Sequence, residues 1–285
     1  MRNNRGLIFF DLVLIVAAFL VMLALPVLAY PQRIVSGLPS VTEMLYALDL
    51  GDRVVGVTSN CNYPPAARKK EKIGGFFLNL EKVVSLKPDL VIMVEEAQKR
   101  DIEKFKNYGL PVYTINPRSV ADVMGTLIQL GKLTGKERVA ASLVARMKSR
   151  LAALQPRSFS LELILKKRPK VLAIVGNNPL IVVGGGTFID DIMKQAGAEN
   201  VAGSSRAAYP QYSFENLMKE NPEYLIVPRG VMAEKELFRD PRWRQLSAVK
   251  ERKILMIDAD ILSRPGPRVI DAVEEIAHFI YGKKN

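Results

Sequence analysis

Short apolar blocks alternate along this chain with stretches whose apolar residues recur every three or four positions. Leu90 to Val94, Val112 to Ile115, Lys170 to Val175, Leu225 to Val227 and Ile254 to Ile257 are aliphatic runs bounded by Pro, Gly or charged residues. Runs of that length and composition predict strands covered on both faces. Arg33 to Val35, Val54 to Val57 and Leu180 to Val183 predict shorter strands. Between them lie helical patterns: Ser40 as a cap before Met44, Leu45 and Leu48, with Gly51 as the stop; residues 99–108; Phe188 to Ala196; and Arg268 to Tyr281. Strand and helix in alternation, broken where the Asn177-Asn178-Pro179 turn joins two strands, predict mostly parallel sheets with helices packed on them.

From Ser119 to Leu154 the pattern changes, with no Pro and Gly only at positions 125, 131 and 135. Val123, Leu127, Leu130, Val139, Leu143, Met147 and Leu151 keep helical spacing, so the segment predicts one long helix, weakest at Thr134-Gly135. Gln155 to Ser160 predicts a surface loop. The fold class expected is therefore α/β: two Rossmann-like lobes with mostly parallel sheets, residues 30–118 and 155–285, joined by a linking helix over 119–154.

A repeat supports two lobes. Residues 79–92 read Asn-Leu-Glu-Lys-Val-Val-Ser-Leu-Lys-Pro-Asp-Leu-Val-Ile, and residues 213–227 read Ser-Phe-Glu-Asn-Leu-Met-Lys-Glu-Asn-Pro-Glu-Tyr-Leu-Ile-Val. Each has a cap, a Glu (Glu81, Glu215), a short helical pattern, a Pro break (Pro88, Pro222), an acid and an apolar strand. Two similar lobes imply a cleft between them.

Residues 1–29 stand apart. Arg2 and Arg5 precede an uncharged run, Leu12 to Leu25, then Pro26 and a small residue, Ala29. This predicts an export signal. A retained membrane anchor is the other reading, although Asp11 and Pro26 interrupt the apolar stretch. No Cys follows the cleavage point, so lipid attachment there is not expected. The single Cys, Cys61, excludes an intrachain disulfide, and with His278 as the one His a structural zinc site is not expected.

Net charge is +12, or +11 without residues 1–29. The basic residues are spread along predicted helix faces, as at Lys132, Lys136, Arg138, Arg146, Lys148 and Arg150, which reads as solvated surface rather than a nucleic-acid site. No catalytic set emerges. Glu95-Glu96, Asp190-Asp191 and Glu274-Glu275 occupy ordinary positions, and no nucleophile motif is present. Gly184-Gly185-Gly186-Thr187 could cradle a phosphate, but it lacks the dinucleotide fingerprint and a following Lys; a tight turn with Thr187 as helix cap is the plainer reading. Tyr63, Phe76, Phe77, Tyr209 and Tyr212 fall in predicted loops, where they can line a cleft for a large flat ligand or pack in the core. Asp260, Arg264 and Arg268 flank Pro265-Gly266-Pro267, a charged loop able to bond ligand amides or carboxylates, or to cap neighbouring carbonyls.

The motifs Ser40-Val41-Thr42-Glu43, Val55-Gly56-Val57-Thr58, Asn62-Tyr63-Pro64-Pro65, Ile73-Gly74-Gly75-Phe76, Leu86-Lys87-Pro88-Asp89-Leu90-Val91-Ile92 and Ser263-Arg264-Pro265-Gly266-Pro267-Arg268 give nearly all of the chain beyond residue 29 a resemblance to a known family. It resembles the periplasmic substrate-binding proteins of iron-complex and cobalamin importers, whose two αβ lobes are joined by one long helix. The Tyr-Pro-Pro, Gly-Gly-Phe and Arg-Pro-Gly-Pro-Arg segments favour the cobalamin branch; Asn60, where that branch has a Tyr, departs from it. The resemblance implies a non-enzymatic, monomeric, periplasmic carrier without a cofactor or metal. It would pass a corrinoid such as cobalamin to a permease dimer with its ATPase subunits. It implies ligand contacts at Phe76, Phe77, Tyr209, Asp260 and Arg264, and permease docking through Glu81 and Glu215. Haem or a ferric siderophore is the alternative ligand, and a periplasmic hydrolase on the same frame the alternative class.

Overall fold

The computed structural model describes residues 30–165 and 167–282, with side chains of 155–165 excepted. The predicted export signal, residues 1–29, lies outside the described residues. The N-terminal lobe carries β1 (Ile34–Ser36), α1 (Pro39–Ala47), β2 (Val54–Val57), β3 (Glu71–Lys72), α2 (Leu80–Ser85), β4 (Leu90–Val94), α3 (Glu95–Asn107) and β5 (Val112–Ile115). Its sheet has the order β3-β2-β1-β4-β5, every pair parallel. Two helices follow, α4 (Val120–Thr134) and α5 (Glu137–Leu165). The C-terminal lobe carries β6 (Lys170–Gly176), β7 (Ile181–Val182), α6 (Phe188–Gln195), β8 (Glu199–Asn200), α7 (Phe214–Glu220), β9 (Tyr224–Pro228), α8 (Glu234–Arg239), α9 (Ser247–Lys250), β10 (Ile254–Ile257), α10 (Ala259–Ser263) and α11 (Val269–Tyr281). Its sheet runs β10-β9-β6-β7, with β8 also paired to β6 and only β7 antiparallel among the described strands.

The sequence repeat is a structural repeat. Asn79 and Ser213 each accept from the N–H three residues on, at 3.0 and 3.1 Å, and so start α2 and α7. Each helix is followed by a residue of positive φ just before the Pro, Lys87 at 46° and Asn221 at 40°. The acid after the Pro then reaches the first strand of its own lobe. Asp89 accepts from the N–H groups of Gln32 and Arg33, at 2.7 and 2.8 Å, and Glu223 from that of Lys170 at 3.1 Å. One short phrase thus caps a helix, turns the chain and sets the register of a central strand.

Several elements differ from expectation. The linking segment is two helices: Gly135 takes a left-handed conformation (φ 73°) and closes α4, so the weak point is a full break. The loop expected at Gln155 to Ser160 is helical, because α5 continues to Leu165. Pro156 removes one backbone bond, and the strong helix formers Leu161 to Leu165 carry the helix past it. α1 starts at Pro39 with Leu38 in the cap position, and Ser40 is buried inside it. Asp258 to Pro267 is not all loop: Asp258 accepts from Asp260 N–H at 2.7 Å and starts α10.

One apolar core runs unbroken through both lobes and the linking helices, including Leu45 and Ile92, Leu127 and Met147, Ile192 and Ile276. Separate clusters cover the far face of each sheet, around Phe105 in the first lobe and Trp243 in the second. The lobes are therefore packed on a shared floor rather than hung on a flexible strand.

Candidate functional site

Three loops at the carboxyl ends of parallel strands meet between the lobes, the usual position of a ligand crevice in such sheets. The loop after β1 leads into α1 and Glu43. The loop after β2 carries Asn60 and Asn62. The segment after β10 carries Asp260, Arg264 and Arg268. Glu43 is the centre of this junction. Its side chain is 2% exposed, and its carboxylate accepts from Arg264 at 3.1 Å and from Arg268 at 2.6 and 2.8 Å. Arg264 also donates to Asn62 Oδ1 at 2.7 Å and to Asn60 O at 3.4 Å, and pairs with Asp260 at 2.7 Å. Asn62 in turn donates to Asp260 at 2.9 Å. Two acids and two guanidinium groups from opposite lobes satisfy one another. Bonding to Glu43 pushes the Arg268 guanidinium further above its ordinary value.

The polar residues expected from the sequence thus lie at the junction of the lobes in different states. Asp260 remains one-third exposed and keeps acceptor capacity. Arg264, 14% exposed, is held by four protein partners. Glu43 and Asn62 were not given a site role by sequence reasoning, and Asn60 stood out there only as a departure from the cobalamin branch. Glu43 had a legible signal, a lone acid within the apolar face Val41, Met44, Leu45 and Leu48.

The aromatic residues separate. Phe76 and Phe77 are 61% and 67% exposed and meet edge to face at 5.3 Å. Tyr209 is 53% exposed, and burial of its remainder raises the hydroxyl's pKa. All three are large rings held out from the core, the condition for a ligand wall. Tyr63 does something else. Arg268 stacks on its ring at 4.1 Å, and it borders a cavity of about 350 Å³ together with Tyr46, Leu143 and Arg150, on the linking-helix side. Tyr212 packs against the second-lobe core and lines a cavity of about 840 Å³ with Asn177, Phe214, Arg239 and Trp243.

The glycine-rich turn holds no anion site. Gly186 N–H donates to Asp190 at 2.9 Å, and Thr187 caps α6 by accepting from Asp190 N–H at 3.1 Å. The glycines serve close packing: a Cβ on Gly184 would lie 2.1 Å from Ala207 O, and one on Gly185 2.0 Å from Gly203 O. They let the segment before Tyr209 lie directly on the turn. Glu81 and Glu215 are exposed in the first turns of α2 and α7. Helices in βαβ units run against their strands, so both carboxylates lie toward the strand ends that form the cleft.

Two lobes on parallel sheets share one apolar core, and a neutralised polar cluster joins their loops at the carboxyl ends of the strands. The chain belongs to the periplasmic binding protein family, whose model matches residues 34–261. An uncharacterized ABC transporter substrate-binding lipoprotein of Bacillus subtilis, YvrC, is 37% identical over 257 residues, 88% of this chain and 80% of that protein. Among solved structures, the periplasmic vitamin B12 binding protein BtuF of Vibrio cholerae superposes with a TM-score of 0.76 at 26% identity, over 88% of this chain and 96% of its own. The periplasmic heme-binding protein RhuT of Roseiflexus sp. RS-1 does so with a TM-score of 0.76 at 25% identity, over 88% and 98%. The family consists of substrate-binding transport proteins of ABC importers, so this chain is a carrier and not an enzyme.

Proposed function

We propose that this protein captures a corrinoid, cobalamin or a close relative, between its lobes outside the cytoplasmic membrane and delivers it to the permease of an ABC importer. The observation that carries the reading is the charge balance of the cleft floor. Glu43 and Asp260 are matched by Arg264 and Arg268, so the floor offers polar contacts with little net charge. A corrin edge bears neutral carboxamides, which such a floor accommodates; Asp260 accepts an amide N–H. The propionates of haem and the anionic groups of many siderophores call instead for free cations. Phe76, Phe77 and Tyr209 supply apolar faces for a flat macrocycle.

Haem is the second reading, motivated by the likeness to RhuT. Haem iron needs an axial donor. Phe76 and Phe77, the most exposed rings, have none. Titration with cyanocobalamin and with haemin, followed calorimetrically and by absorption, tests the choice. Saturable 1:1 heat with cyanocobalamin is expected. Saturation with haemin or a ferric siderophore and none with cobalamin or cobinamide would overturn the ligand assignment.

A further inference from the structure

Phe76 and Phe77 stand at the tip of a short excursion from Gly74 to Leu78. Its base is closed by an antiparallel bridge between Gly74 and Leu78 and by Asn79 N–H donating to Ile73 O at 2.8 Å. Among the described residues no strand runs along the tip. A side chain holds the base below it: Asp101 Oδ2 accepts from the buried N–H of Leu78 at 3.0 Å. Asp101 is 8% exposed on α3, a helix kinked at Gln98 (φ −132°, ψ 24°). Gln98 holds the kink, accepting from Val94 N–H at 3.1 Å and donating to Gly37 O at 2.9 Å. Immediately after Leu78, Asn79 caps α2, which presents Glu81.

The second lobe has the same order of parts with a different fastening. Tyr209 lies in a segment whose partner is β7 and its flanks: Gly184 N–H donates to Ala208 O at 2.8 Å, Val182 N–H to Pro210 O at 3.1 Å, and Tyr212 N–H to Leu180 O at 2.9 Å. Ser213 then caps α7, which presents Glu215. Each lobe therefore places an exposed ring and an exposed carboxylate on one short run of chain. Backbone bonds to β7 and its flanks fasten the run in the second lobe; in the first, Ser59 N–H donates to Gly74 O at 2.8 Å and Asp101 takes the N–H of Leu78.

We propose that Asp101 is a positioning residue of the cleft: it fixes the Phe76–Phe77 tip and, through Leu78 and the Asn79 cap, the start of the helix bearing Glu81. The aromatic wall and the outward acid of this lobe then move as one piece, so ligand contact at the tip is felt at the docking surface. The ligand part of this inference rests on the corrinoid reading; the fastening part does not.

Asp101→Ala removes the acceptor, and Asp101→Asn keeps one. Hydrogen-exchange mass spectrometry on the ligand-free protein reads the fastening without any ligand. Residues 74–82 are expected to exchange about tenfold faster in Asp101→Ala, the size of effect set by one buried N–H left without a partner, and at the wild-type rate in Asp101→Asn. Cyanocobalamin titration reads the wall, with binding about tenfold weaker in Asp101→Ala and restored in Asp101→Asn. Should Asp101→Ala not fold, Asp101→Ser, whose hydroxyl is too short for the Leu78 N–H, takes its place. Unchanged exchange in a folded acceptor-less variant overturns the proposal, as does faster exchange with unchanged affinity. Equally weak binding in Asp101→Asn overturns it too. Wild-type protein that ignores cyanocobalamin sinks the corrinoid reading alone, and the exchange arm still decides the fastening.

Discussion

At the scale of single residues, exposure separates ligand groups from structural ones. Tyr209 is half exposed, and its backbone is fixed by strand pairing on either side, so truncating its ring removes wall without removing fold. Tyr209→Ala should weaken corrinoid binding by ~1–3 kcal/mol and leave the melting temperature of the empty protein nearly unchanged. A variant that melts early but binds normally would make Tyr209 a packing residue. Glu43 lies at the opposite extreme. Its carboxylate is nearly inaccessible and faces Arg264 and Arg268, themselves 14% and 17% exposed. Removing one partner of such a cluster leaves buried charge without compensation, so Glu43→Ala should destabilise the fold by roughly 3–5 kcal/mol in urea unfolding. Both arginines come from the other lobe, so loosened lobe packing should accompany the loss. Wild-type stability in Glu43→Ala would mean that the arginines find water or new acceptors when the acid is gone.

At the scale of elements, the strands and the repeat were legible because their causes are local. A run of aliphatic residues between Pro and Gly has few options, and a Ser or Asn three residues ahead of a free N–H announces a cap. Much of the site was legible in kind: the exposed rings at 76, 77 and 209 and the charged loop around Pro265 stand where loops were expected. What stayed hidden was partnership. Nothing near Glu43 in sequence announces residues 264 and 268, and Asp101 contacts a loop 23 positions away. Such contacts depend on how helices pack, which periodicity does not encode. The run through Pro156 was missed because a proline signal is local while helix formation is cooperative. Another long-range contact has a testable titration. Arg150 on α5 pairs with Asp271 and Glu274 on α11, at 2.7 and 2.5 Å. Hydrogen bonding to Arg150 holds Glu274 below its ordinary carboxylate value. A depressed folded-state pKa contributes stability that is full above the unfolded value, about 4.3, and is lost as pH falls through the folded one. The melting temperature of wild type should therefore exceed that of Arg150→Gln at neutral pH, and the gap should close on acidification. The gap should be small, because the bridge is partly solvated. A gap independent of pH would assign the effect of Arg150 to its aliphatic stem.

At the scale of the whole molecule, the lobes share a core and are stapled by charged and polar bonds. Asp191 of the second lobe also accepts from Val120 N–H at the start of α4, at 2.7 Å. Such a frame resists wide hinge closure, so recognition by a permease has to read a nearly fixed shape. The repeat supplies that shape. Glu81 and Glu215 occupy the same position of the same structural unit, each in the first turn of a capped helix, and each side chain lies in solvent. A carboxylate there is favoured by the helix dipole by ~0.3–1 kcal/mol, which accounts for its presence but not for its duplication on two lobes. Two acids at a fixed separation suit a dimeric partner carrying two basic pockets, and the second contact gains from the effective concentration set by the first. Replacing both with Ala should leave cyanocobalamin affinity unchanged, since neither carboxylate belongs to the cleft floor. It should also lower complex formation with the permease and ligand uptake, with the defect largest at low salt, where unscreened charge contributes most to encounter. Uptake at the wild-type rate in the double variant would reduce Glu81 and Glu215 to helix-terminal acids.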